Sequence, residues 1–150
     1  MIALRPLMNL HVTVAPPQIV VGDGPLGRRR IALVGGRSFA GDRLSGQVVG
    51  GADWVLERRD GVLELDARLI LRTVDEAVII MSFRGFRHGP PEVLARIMSG
   101  AAVDPSEYYQ RAAPFFETGA PHYAWLNRIV SVASAERHPD EIVYRVFEVL

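Results

Sequence analysis

Four stretches of the chain set ionisable groups among aromatic rings: Asp53-Trp54, Asp66 two residues before Arg68, Glu117-Thr118, and Tyr123, Trp125 and Asn127 at alternate positions. A carboxylic acid against apolar surface titrates above its ordinary range, because its charged form loses water, and it can then exchange protons near neutral pH. Asp53, Asp66 and Glu117 are the candidate acid and base groups. A guanidinium or phenol nearby stabilises a developing oxyanion, which makes Arg68 and Tyr123 candidate stabilisers. Trp54, Trp125 and Asn127 are candidate ligand contacts, joined by His122, which borders the aromatic segment. On a strand, Tyr123, Trp125 and Asn127 share one face and Asp66 and Arg68 another, so each set could line an interior wall. A plainer assignment stays open beside each: Asp66 and Arg68 as an outer-surface ion pair, Trp54 and Trp125 as core residues, His122 as a loop-edge histidine.

Other motifs point away from specific chemistry. Gly22-Asp23-Gly24-Pro25-Leu26-Gly27 matches the dinucleotide pattern G-x-G-x-x-G, with Asp42 about 20 residues on. That pattern works only when a helix N-terminus follows to receive the pyrophosphate, and Arg28 to Val34 reads as a strand. The run is therefore expected to be a glycine-rich turn. It also fails as a Walker A loop, since Arg28-Arg29 stands where Lys and Ser or Thr are needed. His11, His88, His122 and His138 are too far apart in sequence to show metal-ligand spacing. No G-x-S-x-G elbow marks a nucleophilic serine.

The elements that must position these residues are mostly strands. Short runs with period-two alternation, separated by Gly, Pro and Asp, are expected at Asn9 to Val14, Arg29 to Gly35, Leu44 to Val49, Asp53 to Arg59, Val62 to Thr73, Ala77 to Phe86, Ala113 to Glu117, Tyr123 to Ala133 and Glu141 to Leu150. The clearest is Val62 to Thr73, with Leu63, Leu65, Ala67, Leu69 and Leu71 on one face. Asp60-Gly61 predicts a hairpin turn before it. So many strands with so little helix need closure or a second sheet to remove exposed edges, and the reading favours an all-β antiparallel barrel, residues 1–150 as one domain. Two helical turns, Pro91 to Ser99 and Pro105 to Gln110, would form a lid-like insertion over 91–110, the second with Asp104 as N-cap and Glu107 in the capping-box place.

Composition bounds the partners. Seventeen basic and seventeen acidic residues cancel, so no net field draws the chain to nucleic acid or an anionic membrane. The absence of Cys removes disulfides, thiolate metal sites and a Cys nucleophile. Arg5 and Pro6 break the only apolar stretch near Met1, which is too short for a signal peptide or a membrane span, so a cytoplasmic protein is expected.

Gly35-Gly36-Arg37-Ser38-Phe39-Ala40-Gly41, Leu44-Ser45-Gly46, Gly50-Gly51-Ala52-Asp53-Trp54, Leu65-Asp66-Ala67-Arg68, Phe116-Glu117-Thr118-Gly119 and Tyr123-Ala124-Trp125-Leu126-Asn127-Arg128 occur in an order and spacing that resembles domain-of-unknown-function family 3237, also known as uncharacterised protein family 0311. The segment from Arg87 to Gln110 carries none of that resemblance. What it implies is a calycin-like antiparallel β-barrel with an internal cavity; it implies no activity and no catalytic residues. Members tend to have Asp-Gly before the central apolar strand, where this chain has Asp75-Glu76.

The functional expectation is a barrel that binds a small, partly apolar molecule, aromatic or polyketide-like, inside it. Asp, Glu, Arg and Tyr side chains would catalyse a cofactor-free cyclisation, isomerisation or elimination. A non-catalytic metabolite carrier is the alternative reading, and a structural or oligomer-forming domain with a filled interior is a third. No metal is expected, and self-association into a homo-oligomer is left open.

Overall fold

The computed structural model describes all residues 1–150, and strands dominate it. They are β1 Leu4–Val14, β2 Ile19–Gly24, β3 Gly27–Ala40, β4 Ser45–Glu57, β5 Leu63–Thr73, β6 Val78–His88, β7 Tyr109–Glu117, β8 Val130–Arg137 and β9 Ile142–Val149. One α-helix, α1, spans Pro91–Met98. Every pairing is antiparallel, in the order β1-β9-β8-β7-β6-β5-β4-β3-β2, and β1 also pairs with β3. That last pairing closes the sheet into an eight-stranded barrel with β2 outside the ring, and closure leaves the ring no free edge.

Alternation decides which side chains fill the barrel. On β5, Leu63, Leu65, Ala67, Leu69, Leu71 and Thr73 are buried, while Asp66, Arg68, Ile70 and Arg72 face out. A single core of 25 residues runs through the barrel, and Phe39, Leu69, Leu71, Ile79 and Met81 are almost fully buried within it.

Two runs expected as separate strands, Leu44 to Val49 and Asp53 to Arg59, are one strand with a bulge. The β4–β5 register passes from Val48↔Leu71 to Gly50↔Ile70, leaving Val49 unpaired. The extra residue reverses the alternation. Val48 and Asp53, five positions apart, both face inward, and Trp54 is turned out. Glycine is required here: Gly51 has φ +149°, and a Cβ on it would lie 2.1 Å from the Arg68 carbonyl.

The expected strand from Tyr123 to Ala133 is corrected. Pro121–Arg128 is a 3₁₀ run, and β8 begins only at Val130. Pro121 opens the run, and the two buried residues, Tyr123 and Leu126, are three apart, the period of that helix. Asn127 fastens it to the end of β7, its Oδ1 accepting from the Thr118 N–H at 2.8 Å and its Nδ2 donating to the Thr118 carbonyl at 2.9 Å.

In the insertion, α1 matches the expected helix, and Pro105–Glu107 is a 3₁₀ turn shorter than expected. Asp104 caps the turn, accepting from the Ser106 N–H at 2.9 Å, but Glu107 bonds Arg96 at 2.7 Å and closes no capping box. Val93 and Ile97 of α1 pack with Val103 and Tyr108 in a small second core that covers one end of the barrel. The glycine run Gly22 to Gly27 is the β2–β3 hairpin, with no helix after it. No helix is long and apolar enough to cross a membrane.

Candidate functional site

Beneath α1, one end of the barrel holds a cavity of about 150 Å³. Its floor and walls are apolar, with Leu65 and Leu69 from β5 and Phe83 from β6. Set into them are Arg30 of β3, Asp53 of β4, Arg87 of β6, Gln110 of β7, Arg137 of β8 and Tyr144 of β9, with Gln18 arriving from the segment before β2. Six of the eight ring strands, all but β1 and β5, thus set a polar group into the cavity near the α1 end.

Asp53 is placed inside by the β4 bulge. Its Oδ1 accepts the Asp66 N–H at 2.9 Å, where the regular β4–β5 pairing lapses between Asp53 and Leu56. Burial is the largest influence on this carboxyl and pushes its pKa from 3.8 up to about 6. The Asp66 N–H and the charges of Arg87 and Arg30 work against that rise, while the Asp66 carboxylate adds to it. The result is a group that takes up and releases a proton close to neutral pH.

The cations around it are poorly matched. Arg87 is 7% exposed, and burial, followed by the like charge of Arg30, lowers its pKa to about 10. Its backbone pairs with Leu63 and Gln110, but its guanidinium has no hydrogen bond or ion pair within the protein. Burial likewise lowers the pKa of Arg30, whose nearest carboxylate, Glu57, lies 3.8 Å away at the surface. Arg137 spends its guanidinium on the carbonyls of His138 and Glu141, at 2.5 and 3.4 Å. Tyr144 is held protonated by complete burial and packs against Phe83, with ring centroids 5.1 Å apart.

Three buried polar atoms lack any partner: Gln18 Oε1, Arg30 Nε and Gln110 Oε1. All three belong to residues lining this one cavity. Native interiors pair nearly all such atoms, so their convergence makes this cavity the candidate site.

Of the nine residues singled out from the sequence, Asp53 alone lines the cavity. The expectation that Asp66 and Arg68 line an inner wall is corrected, because both lie on the outward phase of β5. Glu117 is also exposed, at the end of β7. Trp54, 42% exposed, lies on the outer face as the bulge dictates. The other four gather at the far end of the barrel, around the turn that precedes β6. There the Tyr123 hydroxyl donates to Asp75 Oδ1 at 2.7 Å, His122 stands edge-on to the Tyr123 ring, and Trp125 lies 4.1 Å beneath the Arg43 guanidinium. With Asn127 tied to Thr118, this end is a closed hydrogen-bonded plug, and the shared face expected for Tyr123, Trp125 and Asn127 does not form.

Sequence reasoning missed Arg30, Arg87, Gln110 and Tyr144. A signal for them existed. Arg87 is in phase with Ile79, Met81 and Phe83, Gln110 with Ala112 and Phe116, and Arg30 with Ala32 and Val34. A polar residue on the apolar phase of a strand, near one end, is the trace of a polar cavity in a closed barrel.

The protein family described as protein of unknown function (DUF3237) matches residues 2–149. The UPF0311 protein RPA1785 of Rhodopseudomonas palustris is 41% identical over 130 residues, 86% of this chain and 85% of that protein. Its crystal structure, described as a conserved protein of unknown function, has a TM-score of 0.93 over all of this chain and 99% of that one, at 35% identity. A β-barrel like protein from Acinetobacter baumannii AYE has a TM-score of 0.87 at 36% identity, over 100% of this chain and 97% of that one. A structure described as an enzyme from Penicillium herquei shares the fold at 18% identity, with a TM-score of 0.68 over 97% of this chain and 94% of that one.

Proposed function

The chain belongs to the DUF3237 family of proteins of unknown function, and for its barrel we propose that the cavity under α1 binds a small, partly apolar molecule on which Asp53 moves a proton without a cofactor. The observation that carries this reading is the coincidence, in one cavity, of three unpartnered buried polar atoms with a buried carboxyl titrating near 6. In the proposed step the Asp53 carboxylate takes a proton from an acidic C–H or O–H of the bound molecule and returns it at another atom. Net composition is unchanged in a cyclisation or isomerisation, and a leaving group departs in an elimination. Arg87, without a partner in the protein, is the group best suited to stabilise the oxyanion that forms when the proton leaves. Asp66, Glu117, Arg68 and Tyr123 take no part in that step, since their side chains do not line the cavity.

A carrier would share the pocket but has no use for a carboxyl poised near neutrality, and the pKa of Asp53 favours the catalytic reading. The test is native mass spectrometry of gently purified protein, with identification of any released molecule, followed by incubation of that molecule with wild type and Asp53→Asn. The expected result is a retained metabolite that wild type converts and the variant binds unchanged. Retention without conversion by either protein would favour the carrier. A bare native mass, with no melting shift from a broad metabolite panel, would overturn both.

A further inference from the structure

Resting on the reading of the cavity as a ligand site, we propose that its ligand is an organic anion about the size of one six-membered ring, carrying a carboxylate or enolate oxygen and at least one hydrogen-bond donor. The charge follows from an imbalance. Arg30, Arg87 and Arg137 line the cavity together, and Asp53 is the only carboxyl that does. The charge of Arg30 lowers the basicity of Arg87, and Asp53, the one carboxyl in the cavity, faces both of these arginines at once. Such an arrangement is costly when empty, and an anion that meets Arg87 and the free Arg30 Nε removes the cost and gains charge-assisted hydrogen bonds.

The donor requirement follows from the two glutamines. Gln18 and Gln110 each leave Oε1 buried and unpartnered, and an acceptor oxygen is satisfied only by an N–H or O–H. The size follows from the cavity of about 150 Å³, a volume that elsewhere holds one benzene ring when its walls are apolar. Phe83 and Tyr144 present aromatic surface to such a ring. Polyketide-scale molecules of several fused rings do not fit that volume without displacing α1.

The test uses two probes of equal shape, 4-hydroxybenzoate and its neutral counterpart 4-hydroxybenzamide. Binding is measured by calorimetry to wild type, Arg87→Met, Arg87→Gln and, as a surface control, Arg59→Met, each first checked for folding by circular dichroism. The anion should bind wild type at least about tenfold more tightly than the amide, the gain expected from one hydrogen bond between charged groups. Arg87→Met and Arg87→Gln should each lose that preference while keeping amide affinity within about threefold, and Arg59→Met should behave as wild type. Where one Arg87 variant fails to fold, the other gives the result; where neither folds, Arg30→Gln takes their place. Equal binding of both probes by wild type, or an anion preference that survives in the variants, would overturn the charge assignment and leave the pocket standing. Failure of both probes would overturn this proposal too; a larger neutral molecule retained by the purified protein would then preserve the pocket reading, and a bare protein would remove it as well.

Discussion

A carboxyl that titrates near 6 inside a fold opposes folding whenever it is ionised. For Asp53 the folded value lies above the ordinary 3.8, so the protonated form is the one the folded state favours. Its contribution to stability is full below about pH 4 and is lost as pH rises through about 6, a swing of roughly 3 kcal/mol. Asp53→Asn removes that swing and still offers an oxygen to the Asp66 N–H. The variant should therefore exceed wild type by about 2–3 kcal/mol above pH 7, with the gap closing towards pH 4. Urea unfolding of both proteins across that range measures it; a gap that does not change with pH would mean that Asp53 is not the titrating group. Asp53 was legible in the sequence as a carboxylate beside an aromatic ring, but for a reason that proved incomplete. Its neighbour Trp54 faces the other way, and the groups that act on Asp53 come from three other strands, Arg30 of β3, Asp66 of β5 and Arg87 of β6. Long-range contacts of that kind leave no local mark. Arg87 did leave one, an arginine on the apolar phase of β6, although its unpaired state depends on what the far side of the barrel presents.

At the scale of elements, strand identity was legible because period-two alternation survives wherever one face is wet and the other dry, as on β5. It fails at the bulge and the plug, where backbone geometry departs from the repeat. The β5–β6 turn shows how a local departure is absorbed. Glu76 takes φ +71°, the place a glycine of Asp-Gly would occupy, and the turn is held by Thr73, whose Oγ1 donates to Asp75 Oδ1 at 2.6 Å and accepts from the Ala77 N–H at 2.9 Å. A left-handed residue with a Cβ costs about 1–2 kcal/mol, partly offset by the extra freedom glycine gives the unfolded chain. Glu76→Gly should raise stability by up to about 1 kcal/mol, seen as a higher urea midpoint at unchanged slope; a lower midpoint would show that the Glu76 side chain holds the turn.

The β7–β8 seam makes the opposite point. Only Arg111↔Ser134 and Ala112↔Ala133 pair there. Pro114, on β7, has no N–H to give, and its carbonyl accepts instead from the fully buried Ser131 Oγ at 2.5 Å. Ser131→Ala would strand that carbonyl and should cost about 1–3 kcal/mol, measured by thermal or urea unfolding. A cost near zero would mean that water takes the place of the hydroxyl.

For the whole molecule, the distribution of polar groups along the barrel axis separates a half whose hydrogen bonds are satisfied from a half whose are not. The end plugged by Tyr123 and Leu126 is closed by satisfied hydrogen bonds, and the core above it is apolar, so this half needs nothing from outside to be stable. The half beneath α1 holds Arg87 with no acceptor, Arg30 with a buried free N–H, and two glutamine oxygens without donors. A fold selected only to persist would fill that space with leucine and methionine, because replacing even a paired buried charge and its partner by apolar side chains of similar volume is often neutral or stabilising by about 1–4 kcal/mol, and an unpaired charge has less attraction to lose. Arg87→Met makes that exchange at the most deeply buried of the three arginines. In protein unfolded and refolded to strip any bound molecule, the variant should melt above wild type. In protein purified gently with a ligand in place the order should reverse, because a bound ligand stabilises wild type by RT ln(1 + [L]/Kd), and the variant would lack the group proposed to bind it. Two melting curves for each protein, before and after stripping, decide the matter. If Arg87→Met melts lower in both states, the guanidinium has a structural partner and the interior charge is part of the scaffold; the crossing of the two orders is the signature of a fold that holds its charges in readiness for an anion.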